Sequence, residues 1–231
     1  AQYGFITGLL SRTRIEGVLW RQSIAKGLPL LINEFLWSLG VTMQVQCYST
    51  RGLEVVAGLN ICNTLSNVFN IALMAMGNAV AIIVGQLLGA GRMKEARDTD
   101  TKLIFFSTSM CVVIGALLAL VAPVFPQFYN TTPVVQHIAT RFLWVIACIM
   151  PFHSFTNASY FTLRSGGKTG ITFVFDSMFM WCIVVPLAFV LSRFTTIAVV
   201  PMFMLVQSME IFKSVIGFVL VKKGVWMQNL V

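Results

Sequence analysis

The chain has 231 residues, of which 57% are hydrophobic and only 10% are charged, and its net charge is +8. Soluble domains contain roughly 25% charged residues, so this composition excludes a water-soluble globular domain and indicates a protein that lies in a lipid bilayer. The basic residues stand at the ends of apolar runs instead of forming one stripe, which favours anionic lipid headgroups and argues against a nucleic-acid partner.

Residues 11–26 interleave apolar side chains with four basic ones, which are Arg12, Arg14, Arg21 and Lys26. This pattern is typical of an amphipathic helix in the headgroup plane, and a connecting loop is an equally good interpretation. The first ten residues, AQYGFITGLL, contain neither an initiator Met nor a signal-peptide pattern. We therefore expect residues 1–26 to connect the chain to an earlier part of a longer protein.

Six apolar stretches that are long enough to cross a bilayer follow this segment. At about 1.5 Å per residue, each spans the roughly 30 Å hydrocarbon layer. The predicted crossings are residues 27–48, 54–88, 101–122, 134–163, 169–191 and 197–221. The sequence thus predicts an all-α membrane protein, in which residues 27–222 form a bundle of six transmembrane helices.

Lys and Arg are distributed unevenly between the two ends of this predicted bundle. Of the 16 basic residues, 12 lie in the segments that precede the first helix, follow the second, fourth and sixth helices, and so share one side. The positive-inside rule predicts that this side, with both termini, faces the cytoplasm. We expect a protein of the plasma (cytoplasmic) membrane with residues 223–231 as a cytoplasmic tail.

Three of the eight acidic residues, Glu34, Asp176 and Glu210, lie inside the apolar runs. Carboxylates at this depth are costly and usually mark an ion or proton pathway. Lys213 follows Glu210 by three residues on one helix, so these two are predicted to form a structural ion pair. Glu34 and Asp176 have no cation within four residues along the chain. They are therefore the candidate cation- or proton-binding residues.

Further polar residues share faces of the second and fourth predicted helices. These residues are Asn60, Asn63, Asn67, Asn70, His153, Asn157 and Tyr160. Two interpretations of the asparagines stay open, hydrogen bonds that join helices or the wall of a water-lined cavity. A lone buried histidine is usually a hydrogen-bonded core residue, although histidine can also carry protons near neutral pH. The helix directions place His153, Asn157 and the three acids, which belong to four helices, in one slab between the midplane and the cytoplasmic side.

Catalytic and metal-binding motifs are not found. The sequence contains no HExxH, no GxSxG and no paired-Asp motif at catalytic spacing. Its five cysteines all lie within the apolar runs and have no CxxC spacing, which indicates neither a disulfide framework nor a metal site. We expect neither enzymatic activity nor a cofactor.

The run GNAVAIIVGQLLGAGRMKEARDT closes the second helix, and it resembles the G-Q-x-x-G-A-G signature of the multidrug and toxic compound extrusion (MATE) transporters. Three other stretches resemble the same family in order, LPLLINEFLWSLG, LRSGGKTGITFVFDSMFMWCIVVPLAF and the final MEIFK with GVW. The resemblance covers most of residues 25–228. It implies a twelve-helix transporter, in which this chain is the C-terminal lobe and the N-terminal six-helix lobe is its partner.

The resemblance also implies a function, the exchange of Na⁺ or H⁺ for organic cations or other amphipathic compounds. Glu34 matches an acidic position of the family, so a Na⁺ site at Glu34 is possible. One branch has an Asp where this chain has His153, whereas another has an Asp in the fifth helix that matches Asp176. The coupling ion therefore stays open. The alternative is a lipid-linked oligosaccharide flippase, for which we would expect several internal Arg or Lys residues instead of Lys213 alone.

Overall fold

The computed structural model describes residues 17–167 and 169–227. Within these ranges, six helices are long and apolar enough to cross a membrane. They are α1 (Gly17–Ser49), α2 (Leu53–Gly89), α3 (Met93–Val121), α4 (Pro133–Ser165), α5 (Thr169–Phe194) and α6 (Val199–Lys222). The predicted fold class, an all-α bundle of six crossings, is confirmed.

Helix α1 begins before the predicted first crossing. It runs without a break from Gly17 to Ser49, and the part of it that is apolar enough to cross a membrane is Gly27–Ser49. Residues 11–16 of the predicted amphipathic segment lie outside the described residues. The apolar run begins only near residue 27 because basic side chains precede it. Long basic side chains can, however, reach the headgroups while their backbone stays helical. Hydropathy therefore indicates the apolar part of α1 but not the full length of the helix.

Helix α3 shows the same effect, since it begins at Met93 and not at residue 101. The charged residues that were predicted to form a loop occupy its first turns. Lys102 Nζ lies 2.6 Å from Asp98 Oδ2, which is a pair at i and i+4 on an exposed helical face. Such pairs support a helix by about 0.2–0.5 kcal/mol each.

Helix α5 is not a regular α-helix. Its residues Val174–Met178 and Met180–Val184 are π-helical, and Asp176 lies in the first of these segments. The second segment ends just before Pro186, which has no backbone N–H to continue the α-helical hydrogen bonds. π-helical turns are rare and occur often at functional sites.

Helix α4 occupies the middle of the bundle and packs against α2, α3 and α6, while α1 packs mainly on α5. Two glycines bring neighbouring helices close to α4. A Cβ atom on Gly77 of α2 would lie 2.6 Å from Asn157 Oδ1, and one on Gly115 of α3 would lie 2.8 Å from the Ala147 carbonyl oxygen. These contacts leave no room for a side chain, so the two helices approach α4 through their glycines.

The turn between α2 and α3 contains the last glycine of the G-Q-x-x-G-A-G run. Gly91 has a φ of +72°, a conformation that favours glycine. The N–H of Arg92 donates to the Leu87 carbonyl oxygen at 3.0 Å, which closes the end of α2 in a Schellman arrangement. This part of the signature is thus explained by the geometry of the turn.

Two apolar clusters fill the bundle at different levels. One lies toward the α1–α2 turn and includes stacked rings of Phe142 and Phe203, whose centroids are 4.4 Å apart. The other lies toward the α2–α3 turn and includes Val84, Leu88 and Trp226. Large apolar side chains such as Phe105 cover the outside of the bundle, as expected for helices that face lipid. A polar cavity lies between the two levels.

Candidate functional site

The cavity has a volume of about 620 Å³ and is lined by α1, α2, α4, α5 and α6. The helices contribute polar groups from five directions to one space. The polar lining residues are Glu34, Gln44, Asn63, Ser66, Asn67, Asn70, His153, Thr156, Asn157, Tyr160, Asp176, Gln207, Glu210 and Lys213. All three acids that lie inside apolar runs are thus in the same cavity.

The asparagine face of α2 contributes Asn63, Asn67 and Asn70 to this wall. Of the two interpretations, their position favours a cavity wall over hydrogen bonds that only join helices. Asn60 was predicted to line the cavity as well, but it is not among the lining residues. Although it shares the face, it lies about 10 Å from Asn67 along the helix axis, at the level where the first apolar cluster closes the bundle. The role of Asn60 as a lining residue therefore stays a prediction.

Asp176 is paired with Lys213 of α6. Lys213 Nζ lies 2.6 Å from Asp176 Oδ1, and the two side chains are only 12% and 13% exposed. The predicted ion pair of Glu210 with Lys213 is therefore wrong, because the nearest anion to the lysine comes from the facing helix and not from its own. The ammonium group also lies 5.4 Å from the centre of the Phe175 ring.

Glu210 contacts a different basic group. Its Oε1 atom lies 3.4 Å from Nδ1 of His153 on α4. The side chain of Glu210 is largely buried, whereas that of His153 is 43% exposed. This pair is ionic only when the imidazole is protonated, so the charge of this part of the cavity depends on a proton on His153.

Glu34 accepts a hydrogen bond from the Tyr160 hydroxyl at 2.9 Å. Arg164 Nη1 lies 3.5 Å from the same carboxylate oxygen, Oε1. The Glu34 side chain is half exposed. Glu34 is thus held by two groups of α4 and keeps an open side toward the cavity.

Asn33 connects the two candidate acids. Its side chain is fully buried, with Nδ2 at 3.3 Å from the Tyr160 hydroxyl oxygen and 3.4 Å from Asp176 Oδ2. The hydroxyl of Ser177 donates to Asn33 Oδ1 at 2.7 Å. The sequence analysis missed Asn33, although an amide inside an apolar run is itself a signal for an internal polar site.

The charges of the cavity favour positively charged ligands. Its lining contains three carboxylates but only one ammonium group, and a neutral His153 adds no charge. Arg164, which contacts Glu34 from outside the lining, adds a second positive charge, so the three carboxylates still exceed the two fixed positive charges. Each carboxylate contacts a basic side chain of another helix, so the pairs join α1 with α4, α5 with α6, and α4 with α6. Such an arrangement can hold and exchange cations or protons.

One further buried acid lies outside the cavity. Asp100 of α3 is 1% exposed, and Thr162 of α4 donates to its Oδ1 at 2.6 Å. Its Oδ2 has no hydrogen-bond partner among the described residues. Asp100 lies just before the third predicted crossing, residues 101–122, so its burial was not predicted.

Known proteins with sequences similar to this chain include proteins named as probable multidrug resistance proteins. The MatE family matches residues 29–190. "Probable multidrug resistance protein YoeA" of Bacillus subtilis is 25% identical over 75% of this chain and 37% of the relative. "Probable multidrug resistance protein NorM" of Thermotoga maritima is 19% identical over 91% of this chain and 46% of the relative. The chain thus spans less than half the length of these relatives.

Solved structures share the fold. A MOP superfamily transporter from Pyrococcus furiosus superposes with a TM-score of 0.82 at 12% identity, over 91% of this chain and 48% of that one. A MATE protein in complex with MaL6 superposes with a TM-score of 0.82 at 13% identity, over 97% and 52%. The six helices therefore correspond to one lobe of a twelve-helix transporter. With the family match over most of its length, this chain belongs to the MatE family of membrane transporters.

Proposed function

We propose that the chain is the C-terminal lobe of a secondary antiporter that exports organic cations or other amphipathic compounds in exchange for Na⁺ or H⁺. The observation that supports this function best is the cavity of about 620 Å³ with an excess of carboxylates inside apolar helices. A carboxylate in such surroundings is costly to keep unless it binds a cation or a proton. The names of the bacterial relatives, which are multidrug resistance proteins, agree with this function.

Glu34 and Asp176 are the proposed sites of exchange. They belong to one hydrogen-bonded network through Tyr160 and Asn33. A proton or Na⁺ on these carboxylates would remove the negative charge that attracts a cationic compound. Loading of the ion and binding of the exported compound would therefore exclude each other, and each would stabilise a different arrangement of the two lobes.

The apolar part of the cavity suits ligands of varied shape. Trp37, Met74, Phe179 and Met180 line it beside the polar groups. Methionine side chains are flexible and polarizable, so they can repack around different apolar surfaces. An amphipathic compound would place its apolar part here and its positive charge near the carboxylates.

A lipid-linked oligosaccharide flippase is the less favoured function. A pyrophosphate group requires several cationic side chains, whereas Lys213 is the only Lys or Arg among the cavity-lining residues described. That lysine also contacts Asp176. The charge of the cavity thus opposes an anionic headgroup.

We propose further that the end of the bundle with the α2–α3 turn faces the cytoplasm in the plasma membrane. Arg92, Lys94 and Arg97 at that turn, together with Arg164 and Lys222, lie at this end. Cytoplasmic loops carry an excess of Lys and Arg. Both termini would then be cytoplasmic, with the six-helix N-terminal lobe as the partner of this chain.

Transport by the complete protein in proteoliposomes tests this function. An imposed Na⁺ or proton gradient should drive ethidium out of vesicles that contain the wild-type protein. The gradient that drives this transport identifies the coupling ion. Glu34→Gln should reduce ion-driven transport to the level of protein-free vesicles, because the neutral amide has no negative charge to hold Na⁺ and takes up no proton near neutral pH. Glu54→Gln is the matched control, since Glu54 is exposed in the first turn of α2. Unchanged transport by a folded Glu34→Gln protein would remove Glu34 from the mechanism.

A further inference from the structure

We propose that Lys213 is an internal competitor for the transported cation. Its ammonium group neutralises Asp176 when no ligand is bound, and it moves to Glu210 when a monovalent organic cation takes its place at Asp176. This inference rests on the proposed function, because it concerns how the same cavity binds its cationic ligand.

The first step of the argument is that Asp176 is already occupied. The distance of 2.6 Å between Lys213 Nζ and Asp176 Oδ1 is that of a direct ion pair, and both side chains are largely buried. A second cation at this carboxylate would meet a neighbouring positive charge away from bulk water. Repulsion between like charges is strong in such surroundings, so the ligand and the ammonium group exclude each other.

The second step is that Lys213 has another anion within reach. Glu210 lies three residues earlier on the same helix, and both side chains line the cavity. Side chains at i and i+3 are neighbours on a helix surface, and the flexible lysine stem allows its ammonium group to change partner. Because His153 compensates Glu210 only when it is protonated, Glu210 can accept the lysine.

The third step concerns the binding position that this movement would create. Asp176 Oδ2 has a contact with the Asn33 amide at 3.4 Å, which is long for a charged hydrogen bond. After Lys213 has left, Asp176 would keep this weak donor, and the Phe175 ring, whose centre lies 5.4 Å from the present position of the ammonium group, would remain beside the vacated position. A carboxylate next to an aromatic face is suited to a lipophilic monovalent cation.

Equilibrium binding of tritiated tetraphenylphosphonium to the purified complete protein tests the proposal at constant pH and salt concentration. Lys213→Gln should tighten binding by about tenfold, which corresponds to roughly 1.4 kcal/mol, because the competing ammonium group is gone. The double variant with Asp176→Asn should lose this gain. Lys222→Gln is the matched control, since Lys222 is an exposed lysine at the end of the same helix, and it should bind as the wild type does.

A second variant keeps the pair of Lys213 with Asp176 intact. Glu210→Gln removes the anion to which the lysine would move, so we expect tetraphenylphosphonium binding to weaken by about tenfold. If a folded Lys213→Gln protein binds the cation no more tightly than the wild type, or if Glu210→Gln leaves the affinity unchanged, the proposal is wrong. The proposal would also be wrong if the Lys213→Gln protein lost binding of an anionic dye and did not gain affinity for tetraphenylphosphonium.

These binding measurements use no ion gradient and are therefore independent of the transport test. Failure of gradient-driven efflux together with the expected change in Lys213→Gln would contradict the antiporter but support the competitor. Efflux that depends on Glu34, together with unchanged cation affinity in Lys213→Gln, would give the opposite result. The two proposals can therefore fail separately.

Discussion

A carboxylate that is buried among apolar helices is stabilised only by the few polar groups that contact it. Asp100 has fewer such contacts than the three acids of the cavity. Its side chain is buried, and the Thr162 hydroxyl at 2.6 Å is its one hydrogen-bond partner among the described residues. The three acids of the cavity differ, because each contacts a basic side chain. The contribution of the hydrogen bond between Thr162 and Asp100 to the stability of the fold can therefore be measured without a transport assay.

Thr162→Val should destabilise the protein by about 1–3 kcal/mol, because it leaves the Asp100 carboxyl buried without a donor. Thermal unfolding in detergent should show a lower midpoint than for the wild type. Thr162→Ser keeps the hydroxyl and should lie close to the wild type. Equal midpoints for the Val and Ser variants would show that this hydrogen bond contributes nothing to stability.

The three acids that line the cavity could be singled out one by one from the sequence, but their partners could not. Glu34, Asp176 and Glu210 were found because each interrupts an apolar run. Arg164 and Lys213 contact Glu34 and Asp176 from other helices, more than 30 residues away along the chain. Spacing along one helix therefore gave the wrong partner for Lys213, and it gave none for Glu34.

The elements of the bundle differ in how closely they approach one another. Helices α2 and α3 contact α4 at Gly77 and Gly115, where an added Cβ would meet atoms of α4. The obstacle at Gly115 is a backbone carbonyl oxygen, which cannot rotate away as a side chain does. The separation of α3 from α4 is thus set by a glycine.

Gly115→Ala should lower the free energy of unfolding by about 1–3 kcal/mol, because the methyl group would lie too close to the Ala147 carbonyl oxygen. Gly85→Ala is the control on α2, where nothing lies within 4 Å of an added Cβ. That change should be neutral or slightly stabilising, since alanine favours a helix more than glycine does. Chemical unfolding in detergent checks both. A Gly115→Ala protein as stable as Gly85→Ala would contradict the close approach.

The crossing helices were predictable because apolar length alone indicates them, but their first turns and the form of α5 were not. Charged residues at the start of α3 were assigned to a loop, although Asp98 and Lys102 pair across one helical turn. The π-helical segment around Asp176 has no simple sequence signal. Nor does Pro186 by itself predict that a π-helical segment ends two residues before it, at Val184.

At the scale of the whole molecule, the cavity exists because the polar residues of five helices lie at one level of the bundle. Apolar clusters fill the levels on either side. The predicted helix directions placed polar residues of four helices in one slab, and only the packing of α4 between α2 and α6 brings the residues of all five around one space. The other lobe of the transporter would complete the binding site.

Competition between a cation ligand and the coupling ion shows whether the two share the carboxylates of the cavity. Tetraphenylphosphonium binding to the complete protein should weaken as Na⁺ is added or as the pH is lowered, because the ion and the ligand share the carboxylates of the cavity. The variant with both Glu34→Gln and Asp176→Asn should lose this dependence. Cation binding that is insensitive to both ions in the wild type, or equally sensitive in the double variant, would contradict a shared site.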